Sequence, residues 1–566
     1  MRFGLTQLAP VAGDFKGNVD RLIKAYHEAA DSQADLVLAS ELYVSGYAAH
    51  DLFLSEDFVA QSEAALEVLK TATKGRQAAL AVGHCARSNQ PHGRHLVNRV
   101  SVIENGRVIF TSDKRLLPTY DVFDEARYFE PGVTTQVLNF RGTKIGVAIC
   151  EDLWAQDSRD VRDGRLRYDI NPIDDFEKAN VDVVISLSAS PYEMDKRKHR
   201  EELHSAVAVR LKAPVLYVNQ TGATDEILFD GGSFVVDAKG KFVGRLPFFK
   251  TASAIVEWSK SDTRFVSAAT GDTREDQAPD GIEILSRGLV MGIAEYFRVT
   301  GFRKAVIGLS GGIDSAVVAC LLVRALGREN VIGVAMPSQY STSHSLGDAD
   351  ALAKNIGMVC QVKPIKFLFA TVTRELTEHL GSLREIVQEN LQSRLRGLIL
   401  MSLANQIDGL VINTGNKSEF ATGYCTLYGD MVGALSPIGD LVKTRVYDLA
   451  RYINAAWGKQ IPENSITKPP SAELKPGQTD QDTLPPYAEL DQLIEDHVEK
   501  LDPWASLKAA RNGERDTLWL SEQVARIERS EYKRRQAPIV LKVTKRAFGL
   551  GRRMPVASRR DSTWFS

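Results

Sequence analysis

Through the first half of the chain, apolar and polar positions alternate in short bursts. The strings "RFGLTQLA", "ADLVLAS", "QAALAVGHC", "LVNRVSVI", "TKIGVAIC", "VDVVISLSAS", "APVLYVNQ" and "GGSFVVDA" are rich in β-branched and small apolar residues and are bounded by polar turns. That pattern predicts strands. Between them, stretches such as Asn18 to Ala30 space their apolar residues at helical intervals. The alternation predicts a large layered α/β domain over residues 1–258. From 259 to 281 the string "SKSDTRFVSAATGDTREDQAPDG" is polar and charged, and reads as a linker. Beyond it come a helical stretch (Ile282 to Thr300), the strand "KAVIGLS", a helix from Ser315 and the strand "VIGVAMP". This succession predicts a doubly wound parallel sheet in a second domain, 282–566. The Pro-rich stretch 467–487, "TKPPSAELKPGQTDQDTLPPY", cannot be a core element and reads as either a disordered segment or a lid over a site.

Bulk numbers narrow the classes. A chain of 566 residues exceeds one ordinary core. A formal net charge of -2 gives no global attraction to nucleic acid or anionic membrane, so neither is expected as a partner. The start "MRFGLTQLAP" reads as a strand and lacks the apolar core of a signal peptide, and no run is apolar enough to span a bilayer. The five cysteines (Cys85, Cys150, Cys320, Cys360, Cys425) are scattered and lack CxxC spacing. Neither a disulfide framework nor a zinc site is indicated, and a reducing cytoplasm is expected. The basic strings "EYKRRQAP" and "TKRAFGLGRRMPVASRR" read first as a solvated face, with a polyanion contact as the alternative.

One glycine-rich turn changes the picture. "GLSGGIDSAVVACLL" (Gly308 to Leu322) follows a predicted strand and opens a predicted helix. Gly311 and Gly312 free the backbone to aim N–H groups at an oxyanion, and the helix N-terminus adds a favourable dipole. Where a kinase-type phosphate loop has Lys, this one has Asp314. Phosphate charge would then be balanced by a metal on that carboxylate, which points to Mg2+ and pyrophosphate chemistry. A plain glycine turn capped by Asp314 is the bland alternative.

The string resembles the pyrophosphate loop of the amidotransferase-associated ATP pyrophosphatases. With "ENLQSRLRGLILM", "INTGNKSEFATGYCTLYGDMVGALSPIGDLVKTRVYDLARY" and "EYKRRQAP", residues 281–538 resemble the NAD synthetase family, which amidates deamido-NAD+. The resemblance implies that Gly308, Leu309, Ser310, Gly311, Gly312, Ile313, Asp314 and Ser315, with Thr414, Lys443 and Ser471, bind ATP. It implies that Asp314 and Glu419 hold Mg2+, and that Asn390, Glu419, Tyr487 and Lys533 line the deamido-NAD+ site. Lys443 would offer a point charge to leaving pyrophosphate. Ammonia-dependent members carry Lys where this chain has Leu427 and an Asp near Ala434, so no role is carried to those two positions.

Amidation needs unprotonated ammonia, and the first domain holds a candidate source. "SELYVSGY", "DKRLLPTYDVFDEARYF" and "GVAICEDLW" place Glu41, Lys114 and Cys150 at the ends of β-type runs, where loops converge. Taken singly, Cys150 reads as a buried small hydrophobe, Glu41 as an ordinary acid and Lys114 as surface. Together and in this order they resemble the Glu-Lys-Cys triad of the nitrilase superfamily, an αββα sandwich. That resemblance implies Cys150 as nucleophile, Glu41 as general base and Lys114 as cation and donor. It also implies a glutamine pocket of Tyr120, Ser190 and Lys196, shaped by Tyr47 and Glu125. Ser40 stands where many nitrilases have Pro.

The joint expectation is an ATP-dependent carbon-nitrogen ligase: glutamine hydrolysed through a thioester on Cys150, and ammonia delivered through a shielded passage to adenylated deamido-NAD+, with AMP and diphosphate released. A homo-oligomer is implied by the resemblance. Two rivals are disfavoured: another amidotransferase built on the same phosphate loop, because those families carry different glutaminase domains, and a regulatory protein with an inactive nitrilase domain, because Glu41, Lys114, Cys150 and Asp314 are present together.

Overall fold

The period-two runs of the first half pair into two sheets that face each other. The computed structural model describes residues 1–155, 168–267, 275, 279, 281–509 and 514–558, and these fall into two units, Met1–Asp280 and Gly281–Ser566. In chain order the first unit runs β1 (Arg2–Gln7), α1 (Phe15–Asp31), β2 (Leu36–Leu38), α2 (Glu56–Ala72), β3 (Ala79–Arg87), β4 (Leu96–Glu104), β5 (Arg107–Asp113), β6 (Val137–Phe140) and β7 (Thr143–Ile149). It continues through α3 (Pro172–Ala179), β8 (Val183–Ser188), α4 (Lys196–Leu211), β9 (Val215–Asn219), β10 (Thr221–Thr224), β11 (Ile227–Asp230), β12 (Phe234–Val236), β13 (Phe242–Arg245), β14 (Ala252–Ser259) and β15 (Asp262–Ser267). Among the described residues, one sheet has seven strands in the order β15-β14-β1-β2-β3-β4-β5 and the other six in the order β13-β12-β9-β8-β7-β6.

Side chains alternate across a strand, and here both faces are buried. Leu5, Val102, Val147, Ile149, Ile185 and Leu187 meet in one core between the sheets. Val37, Leu80 and Val82 point the other way, onto Leu22 and Tyr26 of α1 and Leu69 of α2. Ala148 and Val184 turn outward onto Phe176 of α3 and Val207 of α4. The result is the expected helix-sheet-sheet-helix sandwich.

The linker reading needs a correction. Asp262–Ser267 form β15, antiparallel on β14 with Phe265 opposite Val256. An edge strand needs only a backbone ladder and one apolar side to hold it, and Phe265 packs on the inter-sheet core. Of residues 268–280, only 275 and 279 are described, and Gly281 already opens the next helix.

The second unit runs α5 (Gly281–Thr300), β16 (Lys304–Gly308), α6 (Ile313–Leu326), β17 (Val331–Ala335), α7 (Ser343–Ile356), β18 (Val359–Val362), α8 (Lys366–Leu380), α9 (Glu385–Gln406), β19 (Gly409–Val411), α10 (Lys417–Thr422) and β20 (Leu435–Ser436). Then follow α11 (Lys443–Ala456), α12 (Glu463–Thr467), α13 (Tyr487–Ile494), α14 (Trp504–Ala509), α15 (Glu514–Arg529), α16 (Glu531–Arg534) and β21 (Ile539–Val540). Among the described residues its main sheet is four parallel strands, β18-β17-β16-β19. Val306, Val334 and Val411 pack on Leu400 and Ala404 of α9, and the opposite parity, Ala305 and Ile307, is also buried. Both faces are therefore covered, as a parallel sheet requires. The strand order reverses between β16 and β19, so the crevice at their C-terminal ends is where a ligand site is expected. Among the described residues no helix is long and apolar enough to cross a membrane.

One buried histidine gives the first unit a pH signature. His204 of α4 is fully buried against the rings of Tyr217 and Phe234, and burial holds its pKa down at about 4. The unfolded chain therefore binds a proton that the fold refuses, and stability is lost as pH falls from about 6.5 toward 4. Comparing wild type with His204→Phe in urea unfolding, the stability difference should move by about 3 kcal/mol in favour of the variant between pH 7 and pH 4. A pH-independent difference would contradict the buried neutral imidazole.

Candidate active sites

In the first unit the structure gathers Glu41, Lys114 and Cys150 at the ends of β2, β5 and β7. Glu41 and Lys114 are almost entirely buried, and Cys150 is 6% exposed. Lys114 Nζ donates to Glu41 Oε1 at 2.7 Å and to Glu125 Oε1 at 2.6 Å. Glu41 is held on three sides, because Oε1 also accepts from Asn98 Nδ2 at 2.8 Å and Oε2 accepts the Ala189 N–H at 2.9 Å. Tyr47 donates its hydroxyl to Glu125 Oε1 at 2.6 Å, while Glu125 Oε2 is buried with no hydrogen-bond partner among the described residues. Burial therefore dominates at Glu125 and pushes its carboxyl up to about 7, against the pull of Lys114. At Lys114 burial opposes the charge, but Glu125 and Glu41 outweigh it and hold the ammonium well above its ordinary pKa.

Cys150 directly follows β7 and starts a 3-10 turn, Cys150–Leu153, with φ of +44°. A side chain in the left-handed region costs about 1–3 kcal/mol, the kind of strain found where a nucleophile is turned out of a strand end. Burial and the Glu41 carboxylate push the thiol well above its usual pKa, with Lys114 opposing. The resting thiol is thus protonated.

The glutamine-pocket candidates also lie here. Tyr120 donates its hydroxyl to Glu151 Oε2 at 3.1 Å. The Ser190 N–H donates to Asn219 Oδ1 at 2.8 Å. Lys196 starts α4, and its ammonium lies 5.8 Å and 5.9 Å from the ring centres of Trp154 and Phe123. Glu151, Asp152 and Asn98 were not singled out from the sequence. Glu151 is 2% exposed and also accepts from Tyr168 at 3.3 Å. The signal that could have found it was adjacency to Cys150, since a carboxylate there is costly unless it has work to do.

In the second unit the Gly308–Ser315 loop joins β16 to α6 as expected. Gly311 has φ of +75°, and a Cβ there would lie 2.2 Å from the Ser345 carbonyl oxygen, so only glycine fits. Ser310 Oγ accepts the Gly312 N–H at 3.1 Å, and Ser315 Oγ donates to the Gly312 carbonyl at 3.0 Å. A cleft of about 310 Å³ opens over this loop, and its walls include Asp314, Thr414, Glu419, Lys443 and Ser471. Lys443 Nζ lies 2.5 Å from Asp314 Oδ2 and 3.8 Å from Glu419 Oε1. Burial and Asp314 push the Glu419 carboxyl up to about 8, with Lys443 opposing. Asn416 caps α10, accepting the Glu419 N–H and donating to Asp314 Oδ1 at 3.0 Å, which fixes both carboxylates relative to the loop.

Asn390, Tyr487 and Lys533 do not line that cleft. Asn390 accepts from Thr426, and Lys533 donates to the carbonyls of Gly423 and Cys425 at 2.7 Å and 2.6 Å. Tyr487 donates to Asp480 Oδ2 at 2.8 Å, and its ring faces the Lys443 ammonium. Asp480, unnoticed in the sequence, is a further carboxylate on the cleft, as are Asp430 and Glu473. Of the Pro-rich segment, residues 468–474 form part of the cleft wall. Leu427 packs on the C-terminal apolar cluster, and the Ala434 N–H donates to Val411.

Comparison with known proteins decides the family. Residues 2–267 match the carbon-nitrogen hydrolase family and residues 285–537 match NAD synthase. A glutamine-dependent NAD(+) synthetase of Synechocystis sp. is 43% identical over 98% of this chain and 98% of its own length. The chain belongs to the glutamine-dependent NAD(+) synthetases. A Thermotoga maritima member of these synthetases is 37% identical over 99% of both chains. The solved structure of the Acinetobacter baumannii glutamine-dependent NAD+ synthetase, in complex with ADP, is 33% identical and superposes with a TM-score of 0.76 over 98% of each chain. As a glutamine-dependent NAD(+) synthetase, the chain is a ligase that amidates deamido-NAD+ with nitrogen from glutamine. Its nitrilase-type domain and its synthetase domain carry the two sites described above.

Proposed function

We propose that Cys150 attacks the glutamine amide, with Glu41 taking the thiol proton and returning it to the leaving ammonia. Lys114 stabilises the tetrahedral oxyanion, and water then releases glutamate from the thioester. Glu151 and Lys196 offer opposite charges to the two ends of an amino acid, with Tyr120 and Ser190 alongside. Glu125, itself held by the Tyr47 hydroxyl, helps fix Lys114. This reading rests on the buried Glu41–Lys114 pair at 2.7 Å beside a cysteine whose backbone is forced left-handed.

In the second domain, the Gly311 loop would cradle the ATP phosphates, with Thr414 and Ser471 on the cleft wall and Lys443 placed for the departing diphosphate. Asp314 and Glu419 are oxygen donors on one cleft wall, both beside the Lys443 ammonium, and hard oxygen donors of this kind fit Mg2+. Bound there with ATP, Mg2+ would neutralise phosphate charge as AMP is transferred to deamido-NAD+. Asn390, Tyr487 and Lys533 would serve the dinucleotide from beyond the cleft. Exposed apolar side chains on α8 and α9, with Phe367 at 81%, Leu380 at 68% and Leu398 at 60%, support a homo-oligomer. Five free cysteines suit a cytoplasmic setting.

The substrate assignment is tested by AMP release from ATP with glutamine and a panel of acceptors. AMP should form with deamido-NAD+. AMP with xanthosine monophosphate and none with deamido-NAD+ would overturn it.

A further inference from the structure

The loops that carry Lys114 and Cys150 meet at one side chain outside the triad. Asp152 is 4% exposed, two residues past Cys150 in the same 3-10 turn. Its Oδ1 accepts the N–H groups of Arg115 and Leu116, both at 3.0 Å, and its Oδ2 accepts the N–H of Ile149 at 3.0 Å. The first two amides directly follow Lys114, and the third directly precedes Cys150. One carboxylate thus fastens the cation's loop to the nucleophile's turn through backbone amides.

We propose that Asp152 is a positioning residue of the glutaminase site, which sets the Lys114 ammonium and the strained Cys150 turn in register. The inference rests on the reading of Cys150 as nucleophile. Three properties support it. A carboxylate has enough lone pairs for three donors, whereas an amide or hydroxyl in its place does not. The bond to Ile149 acts on the residue just before the left-handed Cys150, where the backbone would otherwise relax. Burial pushes the Asp152 carboxyl up to about 6, and the three amides and Lys114 pull it back, so at neutral pH the acceptor form predominates. Placement of this kind is where supporting residues exert their effect, since a misplacement of about 1 Å can cost about 100-fold in rate.

Asp152→Asn is the discriminating variant. Its oxygen can still accept from Arg115 and Leu116, but its NH2 then meets the Ile149 N–H, so only the nucleophile side is released. The glutamine-dependent kcat should fall about 10–100-fold, with KM for glutamine within about twofold. Alkylation of Cys150 by iodoacetamide, followed by peptide mass spectrometry, should slow in parallel. NAD+ formation from ammonium should be unchanged. If Asp152→Asn does not fold, Asp152→Ser, small enough to admit water to the amides, is read by the same criteria. Unchanged kcat and alkylation, or a loss shared equally by the ammonium-driven reaction, would overturn the inference. Cys150→Ala run beside it separates the two levels: retained glutamine use there refutes the nucleophile assignment, whereas its loss with an unaffected Asp152→Asn refutes the positioning role alone.

Discussion

Cys150→Ala should abolish NAD+ formation from glutamine, by about 10⁴-fold or more, and leave NAD+ formation from saturating ammonium at the wild-type rate. The effect is large because nothing else at the site can take the acyl group. Glu41, Lys114 and Glu125 are locked to one another by hydrogen bonds of 2.6–2.7 Å. Alanine tolerates the left-handed turn about as well as cysteine does, so the fold should survive. Parallel assays with glutamine and with ammonium check the prediction. Loss of both activities in a folded variant would mean that the two domains do not divide the chemistry as described.

Lys443→Met should reduce NAD+ formation from glutamine and from ammonium alike, by about 10²–10³-fold, while Cys150 still alkylates at the wild-type rate. Lys443 is the buried cation among Asp314, Glu419 and Asp480. Burial works against its charge, but those carboxylates hold it well above the ordinary lysine pKa. Removing it leaves their charge uncompensated and should cost about 3–5 kcal/mol of stability in the second domain. Stability and chemistry can be separated in the double variant Lys443→Met with Asp314→Asn. That protein should regain most of its stability and none of its activity. Steady-state assays and denaturant unfolding read the two effects, and full activity in a folded Lys443→Met would remove Lys443 from the site.

The β-type runs made the sandwich legible because its central strands, such as β2, β3, β8 and β9, are buried on both faces and rich in apolar residues. β15 was not legible: an edge strand is held by its ladder and by Phe265, and its remaining residues look like linker. The Gly311 loop could be read because its steric demand falls on a single residue type. Glu41, Lys114 and Cys150 could be read only as a set, since each alone is outweighed by a bland alternative. Their supports escaped notice for a different reason. Asp152 acts through backbone amides of residues 36 and 37 positions away, and Asp480 reaches the cleft from a Pro-rich stretch. Neither relation leaves a local pattern in sequence. Lys533 shows the converse, a basic residue in a recognisable string whose ammonium is engaged by two backbone carbonyls.

In the reaction proposed, amide nitrogen freed at Cys150 becomes the carboxamide of NAD+ in the second domain. Isotope transfer tests it most directly: [amide-15N]glutamine, ATP and deamido-NAD+ are supplied with trace unlabelled ammonium, and the NAD+ formed is analysed by mass spectrometry. NAD+ carrying 15N in its carboxamide is the expected product, with one AMP per NAD+. Unlabelled NAD+, or glutamate released with no NAD+ formed, would contradict the claim.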